Sequence, residues 1–120
     1  MKYMIMMFGE AATMMQTQSP DWITGMITFM KQLDEDLTAS GELVFQAGLT
    51  DGSTAKTVRL EGGTPIVTDG PFAESKESLI GYWVVDVVSE ERAIELTSSI
   101  VAVTGGPIEV RRLGEAPPEM

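Results

Sequence analysis

Four ionisable side chains and one aromatic crowd into the ten residues from Thr68 to Glu77: Asp69, Phe72, Glu74, Lys76 and Glu77. Asp69 precedes Gly70-Pro71, a turn pair in which glycine is free to take positive φ and proline fixes the next φ while removing a backbone donor. A carboxylate at a strand end beside such a turn can be aimed into a cleft and serve as a general acid or base, with Lys76 as its electrostatic partner or as the grip on an anionic substrate. The same carboxylate could instead accept hydrogen bonds from the amides of its own turn, and both readings stand. Glu74, Lys76 and Glu77 either order a pocket rim or form a solvated charge cluster. Adjacent side chains of an extended segment point to opposite faces, so Lys76 is read as the inward one and Glu77 as the outward one. Phe72, next to proline, reads as an anchor for the turn or as a wall for a substrate. Tyr3 and Tyr82 add aromatic surface, and a buried Tyr82 hydroxyl would need a partner from ligand, protein or water. Asp86 is a lone acid near the end of an apolar strand, a place that favours solvent exposure.

Composition removes more mechanisms than these residues add. There is no cysteine and no histidine, which excludes disulfides, thiolate catalysis, cysteine-based zinc sites and the commonest neutral-pH general base. Asp69, Glu74 and Glu77 without histidine or an EF-hand-like loop make a poor cation site, so no metal is expected. No G-x-G-x-x-G, Walker or Gly-x-Ser-x-Gly pattern occurs, and no cofactor is expected. A formal net charge of −10 argues against nucleic acid and anionic membranes as partners. No apolar run approaches the roughly 18–20 residues that span a bilayer. The N-terminal apolar run is cut by Gly9-Glu10 and lacks a signal-peptide h-region and cleavage site, so it reads as a strand. The expectation is a cytoplasmic protein of one domain, residues 1–113, with a loose tail over 114–120.

The elements that must position the candidate residues follow from periodicity. Over residues 2–8, Tyr3, Ile5 and Met7 point one way and Met4, Met6 and Phe8 the other, predicting a strand covered on both faces. Ser19-Pro20-Asp21 is a helix start, followed by Trp22, Met26, Phe29, Met30, Leu33 and Leu37 at helical spacing as far as Gly41; Lys31, Gln32, Asp34 and Glu35 are assigned to the solvated face. Residues 42–49 alternate, with Leu43, Phe45, Ala47 and Leu49 on one side. Residues 55–61 and 64–68 form a hairpin around Gly62-Gly63, suited to a type I′ turn. Leu79 to Val88 is a second strand apolar on both faces. Ser89-Glu90-Glu91 caps a second helix with Ala93, Ile94, Leu96, Thr97, Ile100 and Val101 as its stripe, and residues 108–113 alternate as an edge strand. The order β-α-β, hairpin, β-α-β predicts a ferredoxin-like α+β sandwich with an antiparallel sheet and both helices on one face. Two strands apolar on both faces then require a second cover, and a second copy of the chain supplies it.

The run Asp69-Gly70-Pro71-Phe72-Ala73-Glu74-Ser75-Lys76-Glu77 resembles the DGPF signature of the YCII-related family, DGPFAE-x-KE, with Ser75 at the variable position. The likeness extends from the start, Met1-Lys2-Tyr3-Met4, to the closing strand near residue 113. It implies a bacterial homodimer that closes as a dimeric α/β barrel, and it adds functional weight to Asp69. Relatives in the wider superfamily are assigned a histidine–aspartate pair, which a chain without histidine cannot carry. Related barrels include lyases, isomerases and dehalogenating enzymes, so the resemblance implies a cofactor-independent small-molecule enzyme with Asp69 as acid–base. The family's frequent encoding beside alternative sigma factors supports the alternative, a non-catalytic ligand-binding or accessory dimer.

Overall fold

The computed structural model describes residues 1–9, 15–71 and 78–115. Its elements are β1 (Lys2–Gly9), α1 (Pro20–Ser40), β2 (Leu43–Gly48), β3 (Lys56–Glu61), β4 (Thr64–Asp69), β5 (Ser78–Asp86), α2 (Glu90–Thr104) and β6 (Ile108–Arg112). Residues 15–17 are helical as well, and Gly52–Thr54 form one 3-10 turn. Among the described residues four strands make an antiparallel sheet in the order β2-β5-β1-β6, while β3 and β4 pair with each other as a separate hairpin. Each helix therefore crosses over one strand, α1 from β1 to β2 and α2 from β5 to β6. This is a ferredoxin-like α+β fold with a hairpin inserted between its second and third strands.

Cross-strand register decides which side chains meet the helices. Tyr3 lies opposite Val85 and Ile5 opposite Trp83, and these four residues share one buried cluster with Leu33 and Leu37 of α1 and Ala93, Leu96 and Ile100 of α2. Both helices thus cover the same face. Ile5, Val85 and Ile100, at most 1% exposed, are the largest fully buried side chains among the described residues. Truncating one to alanine would cost about 2–5 kcal/mol for an isoleucine, transfer and cavity together.

The helix ends follow the chemistry of their residues. The Ser19 hydroxyl accepts the Trp22 amide at 3.1 Å and the Ser89 hydroxyl accepts the Arg92 amide at 3.2 Å, each satisfying a donor that a helix start leaves open. Gly41 closes α1 in the left-handed region, where its N–H returns to the carbonyls of Leu37 and Thr38. In the hairpin, Gly62 (φ 57°) and Gly63 (φ 82°) supply the two positive φ angles that a type I′ turn demands.

Two expectations fail here. The predicted alternation through Leu43 and Phe45 is broken by a register shift: Leu43 faces Val85, whereas Phe45 faces Val84. One extra residue in β2 therefore turns Leu43 toward the helices and Phe45 onto the helix-free face, since a bulge inverts the alternation beyond it. Ile94 leaves the predicted stripe of α2 and is 48% exposed. Residues 114 and 115 of the expected tail have no regular structure, and the remainder of it lies outside the described residues. No helix among the described residues is long and apolar enough to cross a membrane.

A charged clamp ties the start of β2 to α2. Arg92 donates from Nε to Glu42 Oε2 and from Nη2 to Oε1, both at 2.9 Å, and the Ser40 hydroxyl adds a bond to Oε1 at 2.8 Å. The Arg92 bonds hold the Glu42 carboxyl below its ordinary value of 4.5, against an opposing contribution from burial. The unfolded chain then binds the Glu42 proton more readily than the folded one. The clamp's stabilisation is complete above pH 4.5 and is lost as pH falls through the lower folded value. Glu42→Gln is expected to cost about 1–2 kcal/mol at neutral pH and to flatten the loss of stability below pH ~4.5, measured by urea unfolding across pH. An unchanged acid limb would assign that limb to other carboxylates.

Candidate functional site

Beneath the N-terminal half of α1, the sheet loses its side chains. Gly48 of β2 lies directly opposite Gly81 of β5, and Gly81 lies opposite Met7 of β1, so two adjacent strands present bare backbone on the helix-covered side. A Cβ on Gly48 would meet nothing within 4 Å. The space left is a cavity of about 240 Å³ that opens to solvent at Gln46 and Gly48. Met7, Met26, Met30, Ile80 and Trp83 contribute apolar wall, Met15 reaches it from residues 15–17, and Asp34 and Gln46 bring polar groups. Strand glycines commonly mark such close approach of a ligand or another backbone.

Asp34 corrects the expectation that it belongs to the solvated face of α1. It follows Met26 and Met30 at successive intervals of four, which places all three along one ridge of the helix and turns Asp34 toward the sheet. There it is half-buried, and its Oδ1 accepts the Trp83 indole N–H at 3.2 Å. That bond satisfies the one polar atom of an otherwise core tryptophan, 6% exposed, and fixes the ring in the cavity wall.

The residues singled out from the sequence are scattered. Asp69 ends β4 opposite Lys56, and its side chain, 85% exposed, is ion-paired with the Lys56 ammonium. The Asp69 carboxylate is thus satisfied across the hairpin, and its turn is pinned separately. Gly70 N–H donates to the Ala55 carbonyl, and the Thr57 hydroxyl donates to the Gly70 carbonyl, both at 2.8 Å. Phe72, Glu74, Lys76 and Glu77 lie outside the described residues. Tyr3 is 4% exposed within the core, with its hydroxyl 4.0 Å from Met1 Sδ. Tyr82 borders the cavity, but strand alternation from Trp83 turns its ring to the helix-free face, where the Phe45 ring centroid is 6.2 Å away. Asp86 is exposed, as its place near the strand end suggested, and accepts from the Met1 amino group at 3.0 Å.

A second cleft, about 340 Å³, lies where the hairpin meets the sheet and includes Pro71 of the signature turn with Leu49, Thr54, Ser78 and Leu79. The YCII-related domain model matches residues 1–116. The chain belongs to the YCII-related family. A curated relative, the uncharacterized protein R00369 of Rhizobium meliloti (strain 1021), is 37% identical over 76 residues, covering 62% of this chain and 61% of that protein. The match therefore spans about three fifths of the relative's length. In this YCII-related chain the cavity under α1 was missed from sequence, although both signals were present: glycines inside two strands, and an acid on a methionine ridge.

Gly48→Val places a β-branched side chain on the cavity floor, where it meets open space. Melting is expected to be unchanged or raised, by up to ~1 kcal/mol in stability, because valine suits a strand better than glycine. A loss beyond ~1 kcal/mol would mean that the glycine serves packing rather than space.

Proposed function

We propose that this YCII-related chain binds a small molecule in the cavity under α1, acting as a homodimer joined across the helix-free face of its sheet. The observation that carries the binding reading is the facing pair Gly48 and Gly81, which keeps an apolar space open beside a carboxylate whose position is fixed by an indole. A concave, mostly apolar lining with a few convergent polar groups is the usual form of a small-molecule site. The lyase-like or isomerase-like activity that family resemblance suggests would need its acid–base group beside the substrate. The carboxylate in that place is Asp34, whereas Asp69 stands in solvent against Lys56. Among a library of small apolar compounds, at least one is expected to raise the melting temperature of the native chain and to leave Gly48→Val unmoved. A library in which no compound raises it would overturn the binding reading.

The dimer reading rests on the other face. Met4 lies opposite Val84 and Met6 opposite Tyr82, and Phe45 joins them through the β2 bulge at 56% exposure, while both helices occupy the far side. Face-to-face packing of two such sheets buries this surface. The hairpin adds Val58, Leu60 and Val67, each more than 60% exposed, with Val58 opposite Val67 on a single face. Sedimentation at micromolar concentration is expected to show a dimer, and Val84→Glu is expected to dissociate it by at least 10-fold in Kd, since one charge is then desolvated on each side. A monomeric native chain would sink the dimer reading and leave the cavity untouched.

A further inference from the structure

We infer that the cavity under α1 selects a small aromatic or alkyl ammonium, and that Asp34 is the residue that reads its charge. The inference rests on the proposal that this cavity is a ligand site and adds what the ligand must be. Among the described residues, its lining contains a single charged group, Asp34, and neither lysine nor arginine. Of the two Asp34 oxygens, Oδ1 is taken by Trp83, and Oδ2 has no hydrogen-bond partner among the described residues. The indole N–H is already satisfied, and the Gln46 amide, which can donate as well as accept, carries no charge. What the site offers a ligand is therefore acceptor capacity with negative charge, and a complementary guest must bring N–H donors and positive charge.

The walls agree with that assignment. Methionine thioethers and the indole are polarizable, and a tryptophan face attracts a cation held within about 6 Å of it. The surrounding field has the same sign, since the chain's net charge is −10, which favours entry of a cation and opposes an anion. The volume, about 240 Å³, equals roughly eight water molecules' share of liquid. That suits one substituted ring with a short amine arm. The contrast with the signature turn is chemical: Asp69 already has its ammonium in Lys56, whereas Asp34 has an indole and an open oxygen.

Three near-isosteric probes separate charge from shape: 2-phenylethylamine, 2-phenylethanol and phenylacetate, titrated calorimetrically into the native chain, Asp34→Asn and Gly48→Val. The asparagine side chain keeps a carbonyl oxygen for the Trp83 N–H, so Asp34→Asn should remain folded, and circular dichroism with the melting temperature verifies it. The amine is expected to bind at least 10-fold tighter than the alcohol and to exceed phenylacetate by more. Asp34→Asn should reduce amine affinity at least 10-fold and bring it to the level of the alcohol, while Gly48→Val should abolish binding of all three. Equal binding of amine and alcohol, or an amine affinity unchanged in Asp34→Asn, would overturn the charge assignment while leaving the cavity as a ligand site. Preferred binding of phenylacetate would overturn it in the same way. Binding that survives Gly48→Val would overturn both it and the siting under α1, and absence of binding by all three probes would overturn the charge assignment whatever the library screen gives.

Discussion

The register in which β1 pairs with β5 is the constraint on which the other parts of this molecule depend. With Ile5 set opposite Trp83 and Tyr3 opposite Val85, every odd-numbered side chain from Tyr3 to Met7 faces the helices, and the even-numbered ones from Met4 to Met6 face away. A slip of one residue would exchange the two sets. Leu33, Leu37, Leu96 and Ile100 would then lose the surface against which they pack. The Trp83 indole would also leave Asp34. Core, cavity and helix-free face are consequences of one alignment, and the bulges at Met7/Phe8 and Leu43/Phe45 adjust it only at the rims.

The cavity comes from what the strands lack. A sheet under a helix normally fills the gap with side chains, because interiors pack as densely as organic crystals. Here two strands place glycine at the same level, and the unbranched methionines of α1 stand over the gap without closing it. Methionine suits such a place, since three rotatable bonds let a wall adapt to whatever enters. The one carboxylate among these side chains keeps a defined position through the Trp83 N–H.

Much of the architecture was legible in the residues. Serine caps, the Gly62-Gly63 turn and the two-faced strands fixed the element order, and the chain's likeness to the YCII-related family agreed with it. Failures came where a tertiary event overrode a local pattern. Phe45 and Leu43 obey strict alternation on paper, yet an extra residue in β2 parts them. Asp34 reads as solvated beside the polar Lys31, Gln32 and Glu35, although its spacing from Met26 and Met30 already places it on an apolar ridge, which the sheet beneath α1 turns inward. Asp69 drew attention through its turn, and Lys56, thirteen residues earlier, could be identified as its partner only once the hairpin register was known. The facing of Gly48 with Gly81 depends on strand pairing across more than thirty positions, which periodicity does not reveal.

The strand order also governs how the chain must be made. β1 is made before both of its partners, residues 78–86 and 108–112, while β2, made after it, joins the sheet through β5. At synthesis rates of about 5–20 residues per second, the last of those partners follows β1 by roughly 5–20 s. The β3–β4 hairpin can close in microseconds once its turn is made, since its contacts are local. The methionine-rich β1 meanwhile lacks its native strand partners, and its apolar side chains are open to non-native contacts until they arrive.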